Sequence, residues 1–264
     1  MDNYSNYNNY NQNGSQQYGQ SAYGQGYSPY TPSVAEGQQA ATAFAVLMRK
    51  VYVWMALALA VTGLTAYGAS QSYSIMEMLY GGGSMMPFWI LAIVEIGLVI
   101  GLSAAINKLS FAAAAIMFII YSLVNGLTMS FIFLVYTKSS IATTFFITAG
   151  AFTGLALIGY YTKKDLSAMG KFLMFALIGV IIASVVNIFL KSSGLEWGIS
   201  IVGVLLFAGL TAYDSQRIKE MFLAHGNEVN DTTQKLAVLG ALSLYLDFIN
   251  LFLYLLRFLG KMKE

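Results

Sequence analysis

Long apolar runs recur along this chain, separated by short polar segments, from about residue 51 to the C-terminal end. Each run holds about 17–25 residues, and a helix of about 20 residues crosses the roughly 30 Å hydrocarbon core of a bilayer. Seven helices are predicted, over residues 51–69, 88–106, 111–135, 141–161, 172–190, 197–213 (continuing to 218) and 236–256. The pattern therefore predicts an all-α, polytopic membrane protein with seven transmembrane helices.

Residues 1–43 have a different composition, in which Tyr, Asn, Gln, Gly and Ser dominate and no basic residue occurs. Such a segment buries too little apolar surface to offset the entropy of ordering, and it lacks the features of a signal peptide. We predict a disordered tail over residues 1–43 and one seven-helix domain over residues 44–264. The tail is either a solvated segment without a required role or a weakly self-associating arm.

Charged residues make up 10% of the chain and hydrophobic residues 57%, whereas soluble domains are about 25% charged. The lipid bilayer is therefore the expected surrounding. The net charge of +2 gives no reason to expect a nucleic acid partner, and without cysteine there are no disulfides or thiolates. No motif of a serine hydrolase, a zinc protease or a phosphate-binding loop occurs, so we expect no enzymatic activity and no cofactor.

The distribution of basic residues predicts which end of the bundle faces the cytoplasm. If the N-terminus is inside, nine of the fourteen Lys and Arg residues fall on the inner side of the predicted helices and five on the outer side. This bias predicts a cytoplasmic N-terminus. The C-terminal end is also basic, so either it lies outside against the bias or the last segment does not cross the membrane fully.

The last apolar segment carries one charged residue, Asp247, near its middle. A charge at the centre of a bilayer costs about 2.5–3.5 kcal/mol on insertion scales, so such a group needs a partner or a proton. Helical spacing places Gly240, Ser243, Asn250 and Tyr254 on the same face as Asp247. We interpret this face as a polar stripe that points into the bundle.

Two further carboxyl groups fall in or at the end of apolar segments. Glu95 is central in the second segment, and Asp214 closes the apolar part of the sixth, followed by the possible counter-ions Arg217 and Lys219. A carboxyl group at membrane depth indicates a functional site. The alternatives are an interfacial ion pair for Asp214 and, for Asp247, a protonated acid that donates to a backbone carbonyl.

Small and polar residues also share faces within three other segments. Such stripes are typical of helix packing in membranes, and lining of a cavity is the alternative interpretation. The residues concerned are Ser122, Asn125 and Thr128 in the third segment, Thr143, Gly150 and Gly154 in the fourth, and Ser184 and Asn187 in the fifth.

The stretch FAGLTAYDSQRIK at residues 207–219, followed by LYLDFINLFLYLLRFLG at residues 244–260, resembles the C-terminal signature of the Bax inhibitor-1 family. This family is also called the transmembrane Bax inhibitor motif proteins. Supporting matches are the RKVY sequence at residues 49–52 and the pair of Ser184 and Asn187. The resemblance covers residues 44–260 and indicates a bacterial member.

The resemblance implies a seven-helix fold in which the last helix is central and wrapped by the other six. It also implies that Asp214 and Asp247, by their motif positions, share a proton and sense pH. Members are described as pH-sensitive calcium leak pathways, some with a basic residue on the second helix that latches to the aspartates. This chain carries Glu95 on that helix instead, where it offers a further cation ligand.

If Asp214 and Asp247 lie close together, elementary electrostatics also predicts that they sense pH. Two carboxylates a few Å apart cannot both ionise cheaply, so the pair holds one proton and titrates as a unit. Losing that proton creates repulsion that parts the helices, and oxygen ligands suit Ca²⁺. We therefore predict a calcium leak gated by Asp214 and Asp247, which are also the candidate Ca²⁺ ligands. Candidate pore residues are Glu95, Asn125, Asn187, Ser243 and Asn250.

Two other functions remain open at this point. A proton-coupled cation exchanger would use the same carboxylates as a relay. A non-conducting regulator would bind a membrane protease or another membrane partner. For all three we expect a multi-pass protein of the bacterial inner (plasma) membrane. In the two transport functions, Ca²⁺ is a transported ion and not a cofactor.

Overall fold

The computed structural model describes residues 34–81, 83, 86–225 and 228–263, with side chains described from residue 38 onward except at residue 225. Residues 1–33, which make up most of the predicted tail, lie outside the described residues. Residues 38–264 form one compact unit. Its helices are α1 Val34–Ser70, α2 Tyr73–Met76, a π-helical turn Glu77–Gly81, α3 Met86–Ala105, α4 Phe111–Met129, α5 Ile132–Val135, α6 Lys138–Tyr161, α7 Ser167–Leu190, α8 Ser193–His225 and α9 Asp231–Leu259.

The predicted all-α membrane architecture is confirmed. Within the described residues, seven helices are long and apolar enough to cross a membrane, and they correspond in order to the seven predicted segments. The third predicted segment is divided, because α4 ends at Met129 and a separate short helix, α5, follows it. The predicted connection between the first two segments holds α2 and the π-helical turn, from which the Tyr80 hydroxyl donates to the carbonyl of Thr128 at 2.8 Å.

The first helix begins much earlier than predicted, at Val34 and not at residue 51. The predicted boundary between tail and domain, at residues 43 and 44, therefore falls inside a helix. The added turns are rich in Ala and Gln, which are good helix formers. A run of high hydropathy shows only which part of a helix is covered by lipid or protein. The helix itself, with its backbone hydrogen bonds, continues beyond that part. The same reason explains why α8 extends to His225, past the predicted end at residue 218.

The last helix, α9, is the most buried of the seven long helices. It packs against α4, α6 and α8, and the Tyr245 hydroxyl on α9 lies 2.6 Å from the Thr62 hydroxyl on α1. On a different face, the ring centroid of Phe248 lies 5.4 Å from those of Phe145 and Phe152 on α6. The outer helices α3 and α7 pack chiefly against α4 and α8. A helix covered in this way can keep polar groups away from lipid.

The structure decides how the C-terminal end lies. Helix α9 has 29 residues, which span about 43 Å at 1.5 Å per residue and cross a bilayer completely. At its beginning, the Lys50 ammonium donates to the Gln234 side chain at 2.7 Å. Beyond its end, the amides of Lys261 and Lys263 donate to Ser140 and Val135 at 2.9 Å each. Lys263 therefore lies at the opposite end of the bundle from Lys50, and α9 is long enough to cross a bilayer completely.

A glycine on α6 permits the closest approach of α6 to α8, but it is not one of the predicted glycines. A Cβ atom on Gly159 would lie 2.0 Å from the carbonyl oxygen of Ala212. A Cβ atom on Gly150 or Gly154, which share the predicted packing stripe with Thr143, would meet nothing within 4 Å, and all three residues are exposed. The packing face of α6 instead carries Ile141, Thr144, Thr148, Phe152, Ala156 and Gly159.

We expect Gly159→Ala to destabilise the bundle by roughly 1–3 kcal/mol, because α6 and α8 must move apart to admit the methyl group. Gly154→Ala is the matched control on the exposed face of the same helix, and it should leave stability unchanged or raise it by up to about 1 kcal/mol. Unfolding of the purified protein by SDS titration in mixed micelles measures both changes. Equal stability of the two variants would contradict the assigned packing face.

Candidate functional site

The part of helix α8 that carries Asp214 is held in place by the side chain of Gln216, two residues further along. The Gln216 amide oxygen accepts from the Leu166 amide and its nitrogen donates to the Lys164 carbonyl, both at 2.8 Å. This buried amide ties α8 to the loop that precedes α7. Gln216 was not among the predicted site residues, although a polar amide directly before Arg217 was the available signal.

A cavity of about 670 Å³ lies between α7, α8 and α9. Asp214 and Arg217 on α8 and Asp247 on α9 are among the residues that line it, whereas α7 contributes mainly apolar side chains. The structure therefore brings the two predicted aspartates to one cavity. We call it the aspartate cavity.

Asp247 is the most enclosed of the polar side chains at this cavity, with 4% of its surface exposed. Its Oδ2 atom is buried, and none of the described residues forms a hydrogen bond with it. Burying a carboxylate without partners is costly, so this oxygen requires a proton or a cation when the site is at rest. An unpartnered acid oxygen at the wall of a cavity is therefore a candidate position for a proton or a cation.

Asp214 is half-buried, and Arg217 lies one helical turn further along α8, exposed at the edge of the same cavity. Between side chains of the described part of the chain, ion pairs within 4 Å are formed by Asp231 with Lys235 and by Glu196 with Arg257. Arg217 is thus a neighbouring charge for Asp214 and not a direct salt-bridge partner.

Three of the four residues predicted to share the face of Asp247 line this cavity, whereas Gly240 lies against Ile218 of α8. Ser243, Asn250 and Tyr254 line the cavity together with Asp247, as their helical spacing requires. The Asn250 amide nitrogen donates to the Leu246 carbonyl at 2.8 Å. This leaves the Asn250 amide oxygen as the atom that is available to a ligand.

A second cavity, of about 490 Å³, adjoins the aspartate cavity and shares Ser184, Ile188 and Tyr254 with it. Asn187 lines this second cavity, where its side-chain oxygen also accepts from the Ser192 amide at 3.0 Å. Glu196 and Arg257 lie in the same wall, with their charged atoms 3.8 Å apart. Asn187 therefore has a structural role at the end of α7 and lies apart from the two aspartates.

Glu95 and Asn125 belong to a different polar cluster, on the other side of α9. Glu95 accepts from the Asn125 amide at 3.1 Å and from the Thr128 hydroxyl at 2.5 Å. The Tyr245 hydroxyl donates to the Asn125 side-chain oxygen at 2.9 Å and contacts Thr62. This cluster joins α3, α4, α9 and α1. Neither Glu95 nor Asn125 lines the aspartate cavity, so the structure does not bring these two candidate pore residues together with the two aspartates there.

The physical reason is that a half-buried carboxyl group on the outer helix α3 finds its nearest donors on α4, against which α3 packs. Tyr245, two residues before Asp247 on α9, completes the cluster. Tyr245 was not among the predicted site residues, and it is one of two tyrosines in the apolar part of α9, the other being Tyr254. We call Thr62, Asn125, Thr128, Tyr245 and Glu95 the Glu95 cluster.

Lys219 does not act as a counter-ion for the aspartates. Its ammonium donates to the carbonyl of Tyr160 at 2.8 Å and lies 5.3 Å from the centre of the Tyr160 ring. Lys219 is five residues from Asp214, so it leaves α8 on a different face, towards α6. Of the two proposed counter-ions, only Arg217 shares the cavity with Asp214.

Among the described residues, no group of three or more His, Cys, Asp or Glu side chains could hold a metal ion. The aspartate cavity offers two carboxyl groups, supplemented by the neutral oxygens of Ser243, Asn250 and Tyr254. Hard oxygen donors of this kind suit Ca²⁺, which takes six to eight of them and accepts water in the remaining positions. The donor set fits a weakly held, partly hydrated cation better than a tightly bound structural one.

We expect Tyr245→Phe to lower stability by about 0.6–1.7 kcal/mol, the range found for hydrogen bonds between membrane helices. The change leaves the Asn125 oxygen without its donor while the ring contacts with Phe118 and Tyr121 are kept. Tyr161→Phe, on a 72% exposed side chain, is the control and should have no effect. The measurement is again SDS unfolding, and equal effects would argue against a structural role for the Glu95 cluster.

The chain is similar to known proteins over most of its length. The family model described as "Inhibitor of apoptosis-promoting Bax1" matches residues 45–264. The chain is similar to the inner membrane protein YbhL of Escherichia coli K12, with 47% identity over 81% of this chain and 90% of YbhL. It is also similar to uncharacterized proteins of Borreliella burgdorferi, with 44% identity over 82% of this chain and 92% of the relative, and of Rickettsia prowazekii, with 42% identity over 82% and 90%.

Proposed function

Because this chain belongs to the Bax inhibitor-1 family, we propose that it is a pH-sensitive leak pathway for cations, with Ca²⁺ as a transported ion. It is a multi-pass membrane protein with seven spanning helices. The observation that carries the proposal is the presence of Asp214 and Asp247 at one cavity, with an oxygen of Asp247 buried and unpartnered among the described residues. Calcium and pH sensing come from the family resemblance, and the geometry supplies residues that suit both.

The two aspartates act as one proton-controlled unit in this proposal. A single proton leaves the pair with one negative charge, and the helices α8 and α9 stay packed. Loss of that proton places two negative charges at a cavity largely shielded from water, where electrostatic repulsion is stronger than in bulk solvent. The repulsion is relieved if the helices part or if a cation enters. Raising the pH therefore favours the conducting state.

The aspartate cavity has enough oxygen ligands for a cation to enter and too few to hold it tightly. Two carboxylates supply the charge, while Asn250 and Ser243 offer neutral oxygens on the same face of α9. Conduction requires binding that is strong enough to replace part of the hydration shell and weak enough to allow release. A site with only two acidic residues meets that requirement.

The adjoining cavity supports a route from the aspartates to the end of the bundle at which the C-terminus lies. It shares three residues with the aspartate cavity and extends to Lys191, Glu196 and Arg257. Glu196 offsets part of the positive charge at this end through its ion pair with Arg257. The route runs between α7, α8 and α9 alone, so the Glu95 cluster lies outside it.

We further propose that the chain lies in a bacterial inner membrane with its N-terminus in the cytoplasm. The similar protein of Escherichia coli is named an inner membrane protein. Nine of the fourteen basic residues favour this orientation. Since α9 crosses completely, the C-terminus then lies on the outer side.

The test is Ca²⁺ efflux from proteoliposomes that contain the full-length protein, measured from pH 6 to pH 8. We expect efflux to rise with pH in the unmodified protein, because deprotonation of the pair opens the pathway. Asp247→Asn should remove the pH dependence, since an amide at residue 247 leaves one titratable group and no repulsion. Asp214→Asn should act in the same way.

Asp231→Asn is the matched control, because Asp231 begins the same helix but is solvent-exposed and paired with Lys235. It should keep both the efflux and its pH dependence. If Asp247→Asn behaves like this control, the aspartate pair is not the gate. Efflux that stops when a proton gradient is collapsed would indicate an exchanger, and a complete lack of flux would favour a non-conducting regulator.

A further inference from the structure

A groove runs along the outside of the bundle between α1 and α6, on a different side of α9 from the aspartate cavity. Its larger part is a cavity of about 640 Å³ lined by Met55, Leu59, Phe145 and Phe152, with Phe248 of α9 among its residues. A smaller cavity of about 310 Å³ continues it and shares Leu59, Phe145 and Phe248. Together the two cavities form an apolar groove that runs parallel to α1 and α6, and we call it the α1–α6 groove.

One end of the α1–α6 groove combines a cation with aromatic side chains. Arg49 and Tyr52 on α1 and Tyr160 and Tyr161 on α6 line it there. Tyr161 ends α6, so this group marks the level at which the helix leaves the hydrocarbon region. Tyrosine and arginine at that level are typical of side chains that meet lipid head groups.

Arg49 is available to a ligand in a way that its neighbour is not. The Lys50 ammonium is engaged with Gln234 at 2.7 Å. The Arg49 side chain is exposed, and the described residues form no ion pair with it. A guanidinium with five donors in a planar fork is well suited to a phosphate group.

From these observations we infer that the α1–α6 groove binds an anionic phospholipid of the bilayer, with an acyl chain along the apolar floor and the phosphate at Arg49. The groove lies at membrane depth on helices that span the membrane, so lipid chains are in contact with it. The positive charge at its mouth selects the negative head group. A basic side chain near an anionic head group contributes about a fivefold preference.

The test measures lipid binding to the full-length protein in detergent, after removal of co-purified lipid, by native mass spectrometry. The probes are phosphatidylglycerol and phosphatidylcholine with the same acyl chains. We expect about a fivefold tighter binding of phosphatidylglycerol, reduced to no preference in Arg49→Gln and kept in Arg49→Lys. Lys138→Gln, which alters the cation at the opposite end of the groove, should keep the preference.

A second variant tests the groove itself. Ala56 is exposed and lines the α1–α6 groove. Ala56→Trp should therefore weaken the binding of both lipids at least tenfold, because removing two methylene groups of a lipid from the groove already has that effect. Leu57→Trp, on the next residue and outside the groove, should bind both lipids as the unmodified protein does. Thermal unfolding checks that each variant is folded.

The outcomes separate the inference from its rivals. Should Arg49→Gln fail to fold, the fivefold preference of the unmodified protein must fall with added salt, since it is electrostatic. A preference that persists in folded Arg49→Gln, or is insensitive to salt, overturns the assignment of the phosphate. Unchanged binding in Ala56→Trp, or dimerisation of the unmodified protein that Ala56→Trp abolishes, overturns the groove as a lipid site.

Discussion

The acid on α9 constrains everything around it. A carboxyl group at the middle of a membrane helix costs about 2.5–3.5 kcal/mol if it faces lipid, so the helix that carries Asp247 has to be covered. The fold meets this demand by packing α1, α4, α6 and α8 around α9. It then leaves a polar-lined cavity on the side where Asp247 lies. The central position of α9 therefore follows from the need to keep the Asp247 carboxyl group away from lipid.

Helix α9 presents three distinct faces to its neighbours, and each face has its own physics. Asp247 faces α7 and α8 across a cavity, Tyr245 is hydrogen-bonded into the Glu95 cluster, and Phe248 packs on aromatic rings of α6. The hydrogen bonds and the ring contacts leave these two sides with little freedom. Cavities lie beside Asp247 on one side and beside Phe248 on another, whereas the Tyr245 side is joined to α1 and α4 by hydrogen bonds.

The same division places the proposed ion pathway and the proposed lipid site on different sides of one helix. The α1–α6 groove reaches Phe248, the residue next to Asp247. A lipid there contacts α9 without entering the aspartate cavity. Family membership and the motif at residues 207–219 bear on the aspartates alone, whereas the groove follows from how α1 and α6 are spaced in this structure.

The sequence by itself determined the number of helices long and apolar enough to span a membrane, their order, and the shared face of Ser243, Asp247 and Asn250. All of these depend on hydropathy or on the helical period, which are properties of one segment at a time. The helix ends were less well predicted, as Val34 shows, because helix propensity extends α1 beyond its apolar part.

Only the tertiary structure decided which polar groups meet. The helical period fixes the direction of a side chain about its own axis, but the rotation of one helix relative to the next depends on the packing of the whole bundle. Because of that rotation, Glu95 accepts a hydrogen bond from α4 and Lys219 donates one to the Tyr160 carbonyl. For the same reason, Gly159 and not Gly154 is the glycine of α6 that lies against α8. It also brought two aspartates from successive helices to a single cavity, since side chains distant in sequence meet only when every helix between them has found its place.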